Sequence, residues 1–123
     1  MRIALSVYHG RISPAFDSSS GLLLVDLEDG CEVGRTEETL EQTAVWGRAA
    51  GLEKLGVRVL ICGAISRPLA CALSGSGVSV VPFTTGEIGE ILEAYLEGRL
   101  PDPRYLMPGC CGRRRRFRRG NRG

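Results

Sequence analysis

Hydrophobic and polar positions alternate between two periods along this chain. Residues 2–8 (Arg-Ile-Ala-Leu-Ser-Val-Tyr) are a short apolar run stopped by His9-Gly10, which predicts a first strand. Residues 9–20, rich in Gly, Ser, Pro and Asp, read as a loop. Gly21 to Leu27 predicts a second strand, and a third is expected near Cys31–Thr36. Asp29-Gly30 between them is a strong hairpin signal. Thr39 with Gln42 fits a capping box for a helix through Val45, Ala49, Leu52 and Leu55, ended by Gly56. Val57 to Cys62 is almost wholly apolar, the composition of a strand covered on both faces. Ser66 can N-cap a second helix whose first turn accommodates Pro68 and which ends near Gly75–Gly77. Val78–Val81 reads as a last strand. Thr84 and Glu87 suggest another capping box, for a helix through Ile88, Ile91, Leu92, Tyr95 and Leu96 that Gly98 closes.

This order predicts an α/β fold with a mixed five-stranded sheet, one antiparallel hairpin and helices on both faces. Segment 57–81 is a strand–helix–strand crossover, normally right-handed and parallel. At 123 residues the chain suits one domain with a short appendage. No run reaches the ~18–20 apolar residues of a membrane span, and the N-terminus lacks the pattern of a signal peptide. A cytoplasmic protein without a membrane partner is expected. Five cysteines, an odd number without a secreted-scaffold rhythm, are then thiols or metal ligands.

Charge divides the chain. Residues 1–109 carry nine Lys/Arg against fourteen Asp/Glu, a net −5, while seven arginines crowd into residues 113–122 beside Cys110-Cys111. Pro101, Pro103 and Pro108 argue for an extended linker, so the expected division is a domain over 1–107 and a flexible tail over 108–123.

In a sheet of this kind, ligands usually lie outside the carboxyl ends of the parallel strands. Two segments should meet there: His9 to Asp17 after the first strand, and Cys62 to Arg67 after the buried one. The second ends in a helix N-terminus, whose free N–H groups suit an anion. Arg11, Ser13, Gly63, Ser66 and Arg67 are therefore the candidate ligand-binding residues. Cys62 and His9 are candidate metal ligands. Against these stand plainer readings: Cys62 as a small core residue, His9 as a solvated loop histidine, Arg67 as surface. Cys71 reads as core, Cys31 as incidental and Trp46 as packing.

At these residues the sequence resembles a known family. Gly10-Arg11-Ile12-Ser13-Pro14-x-Phe16, then Leu22-Leu23-Leu24-Val25-Asp26 ending at Gly30, resembles the opening of the dinitrogenase iron–molybdenum cofactor biosynthesis family, with its NifX-, NafY- and orange-protein-like members. Gly56-Val57-Arg58-Val59 through Gly63-Ala64-Ile65, then Gly77-Val78-x-Val80 and Gly86-Glu87-Ile88, continue the likeness over about 100 residues. The resemblance implies a ribonuclease-H-like three-layer α/β/α sandwich that carries an anionic metal–sulfur cluster of iron–molybdenum, molybdenum–copper or iron–sulfur type. Metallocluster donor or acceptor proteins would be its partners. Many relatives read His-Phe-Gly where this chain has Ala15-Phe16-Asp17, so a candidate ligand histidine is replaced by alanine.

The tail keeps several readings open. Cys110 and Cys111 are soft ligands beside arginines that would favour the thiolate. They could complete a metal site from the body or be ordinary reduced thiols. The arginines could cover an anionic cluster, dock an acidic protein, bind nucleic acid through residues 113–122, or only solubilise. No nucleophile–base pair, P-loop or Cys-x-x-Cys is evident, so a non-enzymatic role is expected. The leading expectation is a carrier or assembly protein for a metal–sulfur cluster, a monomer or weak dimer. The alternative is a nucleic-acid-binding or regulatory module using the tail. A third is an interaction protein whose acidic body binds another copy's tail.

Overall fold

The opening apolar run forms β1 (Arg2–Tyr8), the central strand of the sheet. The computed structural model describes residues 1–40, 45–100 and 103–106. β1 pairs antiparallel with β3 (Gly21–Glu28), and β3 with the edge strand β4 (Cys31–Thr39). On its other side β1 runs parallel to β5 (Val57–Ile61), which runs parallel to β6 (Ser79–Val81). The principal order is β4-β3-β1-β5-β6, the five strands expected. A sixth, β2 (Arg11–Ile12), pairs antiparallel with the end of β1. The sequence pattern passes over it because two residues hold no alternation to read. The turns His9-Gly10 (φ 53° and 78°) and Asp29-Gly30 (φ 54° and 77°) both place two successive residues at positive φ. Two-residue type I′ hairpins require that, and their twist matches the strands they join.

Alternation along the strands divides the core into two layers. Ala4, Leu22, Leu24, Val57, Leu60 and Cys62 face one side, where they meet α1 (Val45–Lys54) and α2 (Arg67–Gly75). Ile3, Leu5, Leu23, Val25, Leu27 and Ile61 face the other, against α3 (Ile88–Leu96). The result is a three-layer α/β/α sandwich with two helices on one face and one on the other. Val57 and Val59 lie on opposite faces although two apart, because the β1–β5 register skips Arg58 at a bulge. That bulge leaves Arg58 exposed within an otherwise apolar strand.

Each helix buries one stripe. Leu69, Ala72 and Leu73 of α2, and Ile88, Ile91 and Leu92 of α3, follow the i, i+3, i+4 spacing. Fully burying a leucine such as Leu73 or Leu52 contributes about 2–3 kcal/mol. Cys71 falls outside the α2 stripe and is exposed, which corrects its reading as core. Ser66 caps α2 as expected, its Oγ accepting from the Leu69 amide at 3.4 Å, with Pro68 in the first turn.

The other two capping boxes differ. Thr39 is the last residue of β4, and Gln42 lies outside the described residues. Thr84 is buried, its amide donating to Cys62 O at 2.9 Å. α3 begins later, at Ile88, with Glu87 as an N-cap that makes no side-chain cap bond. The Ile88 amide donates instead to Gly10 O (3.0 Å), so the β1–β2 turn supplies the acceptor that a box would have. Among the described residues, no helix is long and apolar enough to cross a membrane.

Candidate functional site

The two segments expected to meet at the carboxyl end of β1 do meet, and they do so through their backbones. Ala15 and Ala64 form a parallel bridge. The Ala64 amide donates to Pro14 O and the Phe16 amide to Ala64 O, each at 2.8 Å. Gly63 makes this possible. A Cβ there would lie 2.4 Å from Ser13 O and 2.5 Å from Pro14 O. What approaches Gly63 closely is therefore the chain's own loop, and its absent side chain is accounted for without a ligand.

This zipper holds open a groove of about 490 Å³ beside the end of β1, lined by Tyr8, His9, Ser13, Ala15, Ser18, Ser19 and Ser20 among others. His9 is exposed in a left-handed conformation, its ring edge-on to Tyr8 with centroids 4.1 Å apart. Ser13 is buried, its amide donating to Ser6 O at 2.8 Å. Beneath the groove the buried Ser6 and Ser19 hydroxyls share a 3.0 Å hydrogen bond. Ala15, where the family resemblance implies a histidine, lines this same groove.

The helix N-terminus expected to receive an anionic ligand already has an anion. Asp17 Oδ1 accepts from the Ser66 amide at 2.8 Å. The 13–16 zipper carries Asp17 across to α2, and its carboxylate meets the positive end of the helix. Arg67 is exposed beside it. Cys62 is fully buried within the α1/α2 layer. Burial, and then the nearby Asp17 charge, push its thiol up to about 12, so it stays protonated at neutral pH. The sulfur is core, and a thiolate ligand there would need exposure that the fold does not give. Arg11 is exposed, and its backbone pairs with Glu87 at the start of α3, away from the 62–67 turn. Cys110 and Cys111 lie outside the described residues. The groove thus gathers Ser13 and His9, while Gly63, Ser66 and Cys62 lie behind or beside it in structural roles. Among the described residues, no three His, Cys, Asp or Glu side chains are placed to hold a metal ion.

Sequence reasoning missed three features. The run Ser18-Ser19-Ser20 was legible as a polar loop, but not as a groove wall. Asp17 ends the loop expected at the site, but nothing local shows that its carboxylate reaches the Ser66 amide. Arg48, on α1, is 1% exposed, with its guanidinium 5.5 Å from the centre of the Phe16 ring. None of its three nitrogens has a hydrogen-bond partner among the described residues.

A mixed sheet between helical layers, with a polar groove at the end of its central strand, defines a small α/β/α domain. The chain belongs to the dinitrogenase iron–molybdenum cofactor family, whose sequence model matches residues 1–98. It is 29% identical over 107 residues to an uncharacterised protein of Methanocaldococcus jannaschii, covering 81% of this chain and 89% of that one. Its fold is similar to that of the protein PH0822 (TM-score 0.75, 20% identity, 80% of this chain and 93% of the other). It is also similar to the apo orange protein of Desulfovibrio gigas (TM-score 0.71, 23% identity, 81% and 90%). At these identities the two structures speak for the fold.

Proposed function

We propose that this protein carries, or helps assemble, an anionic metal–sulfur cluster, which it holds as cargo in the groove beside β1. One observation supports this reading above the others. Ser13, Pro14 and Ala15, which lie within the Gly10–Phe16 segment that carries the family resemblance, form part of the groove wall. Cargo there would meet His9, the Ser13 and Ser18–Ser20 loop, and the alanine that replaces the relatives' histidine. Cys110 and Cys111, from a tail that begins near residue 108, would supply the soft ligands that the groove lacks, with the arginines as their electrostatic setting. A donor or an acceptor of the cluster would be its protein partner.

Anaerobic reconstitution with iron or molybdenum plus sulfide tests the proposal. The loaded protein should show charge-transfer absorption in the visible, lost in the Cys110→Ser/Cys111→Ser double variant. A colourless protein with no bound soft metal would sink it. The seven clustered arginines favour a second reading, nucleic-acid binding through residues 113–122. Removing residues 112–123 separates the two, since nucleic-acid binding should disappear and cluster binding should largely survive.

A further inference from the structure

Arg48 is the group the fold leaves unexplained. A guanidinium is among the costliest side chains to bury without acceptors. Arg48 is 1% exposed, and Nε, Nη1 and Nη2 find no acceptor among the described residues. The Phe16 ring attracts one face of it, but such a contact offsets only part of the cost of taking a cation out of water. Buried arginines are otherwise paired. Asp17 is the acid nearest in sequence to the ring that Arg48 covers. Its carboxylate is turned to the Ser66 amide and acts on Cys62 instead.

The position of Arg48 says where a counter-charge could come from. Phe16 lies between Ala15 and Ser18, both in the wall of the groove. Ser19, also in that wall, reaches inward to bond Ser6 in the same layer of the sandwich as Phe16. Arg48 therefore lies against the ring of a residue whose chain neighbours Ala15 and Ser18 wall the groove, with its charge unneutralised by any described side chain. We propose that Arg48 is the cationic floor of an anion site whose mouth is this groove, and that the groove selects a compact multivalent anion. An oxyanion and a thiometallate share that chemistry. The inference deepens the cargo reading and rests on the groove being the binding site.

The full chain decides it by thermal unfolding and calorimetric titration with phosphate, molybdate and tetrathiomolybdate at matched ionic strength. The melting temperature should rise saturably with a multivalent anion and not with chloride. A response to phosphate and molybdate assigns an oxyanion, and a response to tetrathiomolybdate alone assigns a thiometallate. Arg48→Met should weaken binding at least about tenfold, while melting no lower than the wild type in the absence of anion. An unresponsive wild type overturns the proposal, as does an Arg48→Met variant that keeps the response. If Arg48→Met fails to fold, the side-chain Nε resonance of wild-type Arg48 decides instead. It should shift saturably with the anion, and a resonance that stays put counts against the site. The Cys110→Ser/Cys111→Ser variant should keep the anion response, so loss of its chromophore and loss of the anion site are separate results.

Discussion

Replacing Gly63 with alanine tests whether the loop zipper builds the groove. The new Cβ would lie 2.4 Å from Ser13 O, 2.5 Å from Pro14 O and 2.8 Å from Pro14 C. All three are backbone atoms, so no rotamer change relieves the contact. The 13–15 segment must retreat by roughly 0.6 Å or more in a close-packed region. That stretches the Ala64–Pro14 and Phe16–Ala64 hydrogen bonds, now 2.8 Å each, beyond useful length. Losing both costs about 1 kcal/mol apiece, and overpacking strain adds about 1–3 kcal/mol. The total, about 3–5 kcal/mol, is a large part of the ~5–15 kcal/mol that holds such a domain together. Urea unfolding reads it directly, because a slope of ~1–3 kcal/mol/M turns that loss into a midpoint shift of at least ~1 M. Gly89→Ala is the control. Gly89 is a helical residue of α3 with nothing within 4 Å of a Cβ, so alanine should stabilise by about 0.5–1 kcal/mol. A Gly63→Ala midpoint equal to that of the wild type, at unchanged slope, would show that the two loops do not depend on this contact.

Four further outcomes follow from the geometry. Iodoacetamide should label Cys31 and Cys71 in the native protein and Cys62 only after unfolding, as read by peptide mass. Because the Cys62 thiol lies near 12 when folded and near 9.0 otherwise, the unfolded chain releases its proton first. Stability should fall by about 1.4 kcal/mol per pH unit as pH rises from about 9 toward 12, and Cys62→Ala should lack that component of the slope. Asp17→Ala removes the acceptor at the start of α2 and should cost about 1 kcal/mol in thermal unfolding, with Asp17→Asn intermediate. Asp26 is held below the usual carboxylate range by its hydrogen bond from Arg2 (2.8 Å). Its contribution is present above the normal carboxylate pKa and lost as pH falls through the lowered one. Asp26→Asn should therefore flatten the acid limb of the stability curve, and an unchanged limb would remove Asp26 from the account.

Most of the fold was legible because it rests on burial and turn chemistry, both local in sequence. Val59-Leu60-Ile61-Cys62 is apolar at every position because β5 and its end are covered on both faces, as that composition predicts. Asp29-Gly30 announces its hairpin through the positive φ that both residues take. The failures share a cause too. Thr84 and Glu87 have the residue types and spacing of a capping box, yet the Gly10 carbonyl, 78 residues before Ile88, already accepts the first amide of α3. Cys71 looks like core in an apolar stretch, and only the placement of the Leu69–Leu73 stripe puts it outside. In both cases a distant contact decided what a local pattern left open.

The site shows the same limit more sharply, and the consequence is chemical. From sequence, the α2 N-terminus was an anion site in waiting, because nothing local says where Asp17 goes. Its carboxylate reaches Ser66, 49 positions away, only because Gly63 lets the 13–16 loop close against Ala64. Once that happens, the start of α2 has a carboxylate from within the chain on its Ser66 amide. Cys62 beneath it is pushed toward the neutral thiol by burial and then by the same charge. On the near side of the zipper His9, Ser13 and the serine run border open space, and Arg48, against the Phe16 ring, has no hydrogen-bond partner among the described residues. Asp17, at a position where the family resemblance implies glycine, thus puts a carboxylate at the start of α2, on the Ser66 amide that an anion would otherwise meet. Asp17→Gly should reverse this. Multivalent-anion binding should strengthen as the Ser66 amide at the start of α2 becomes free, and binding that is unchanged or weaker would show that the carboxylate does not shape the site's preference.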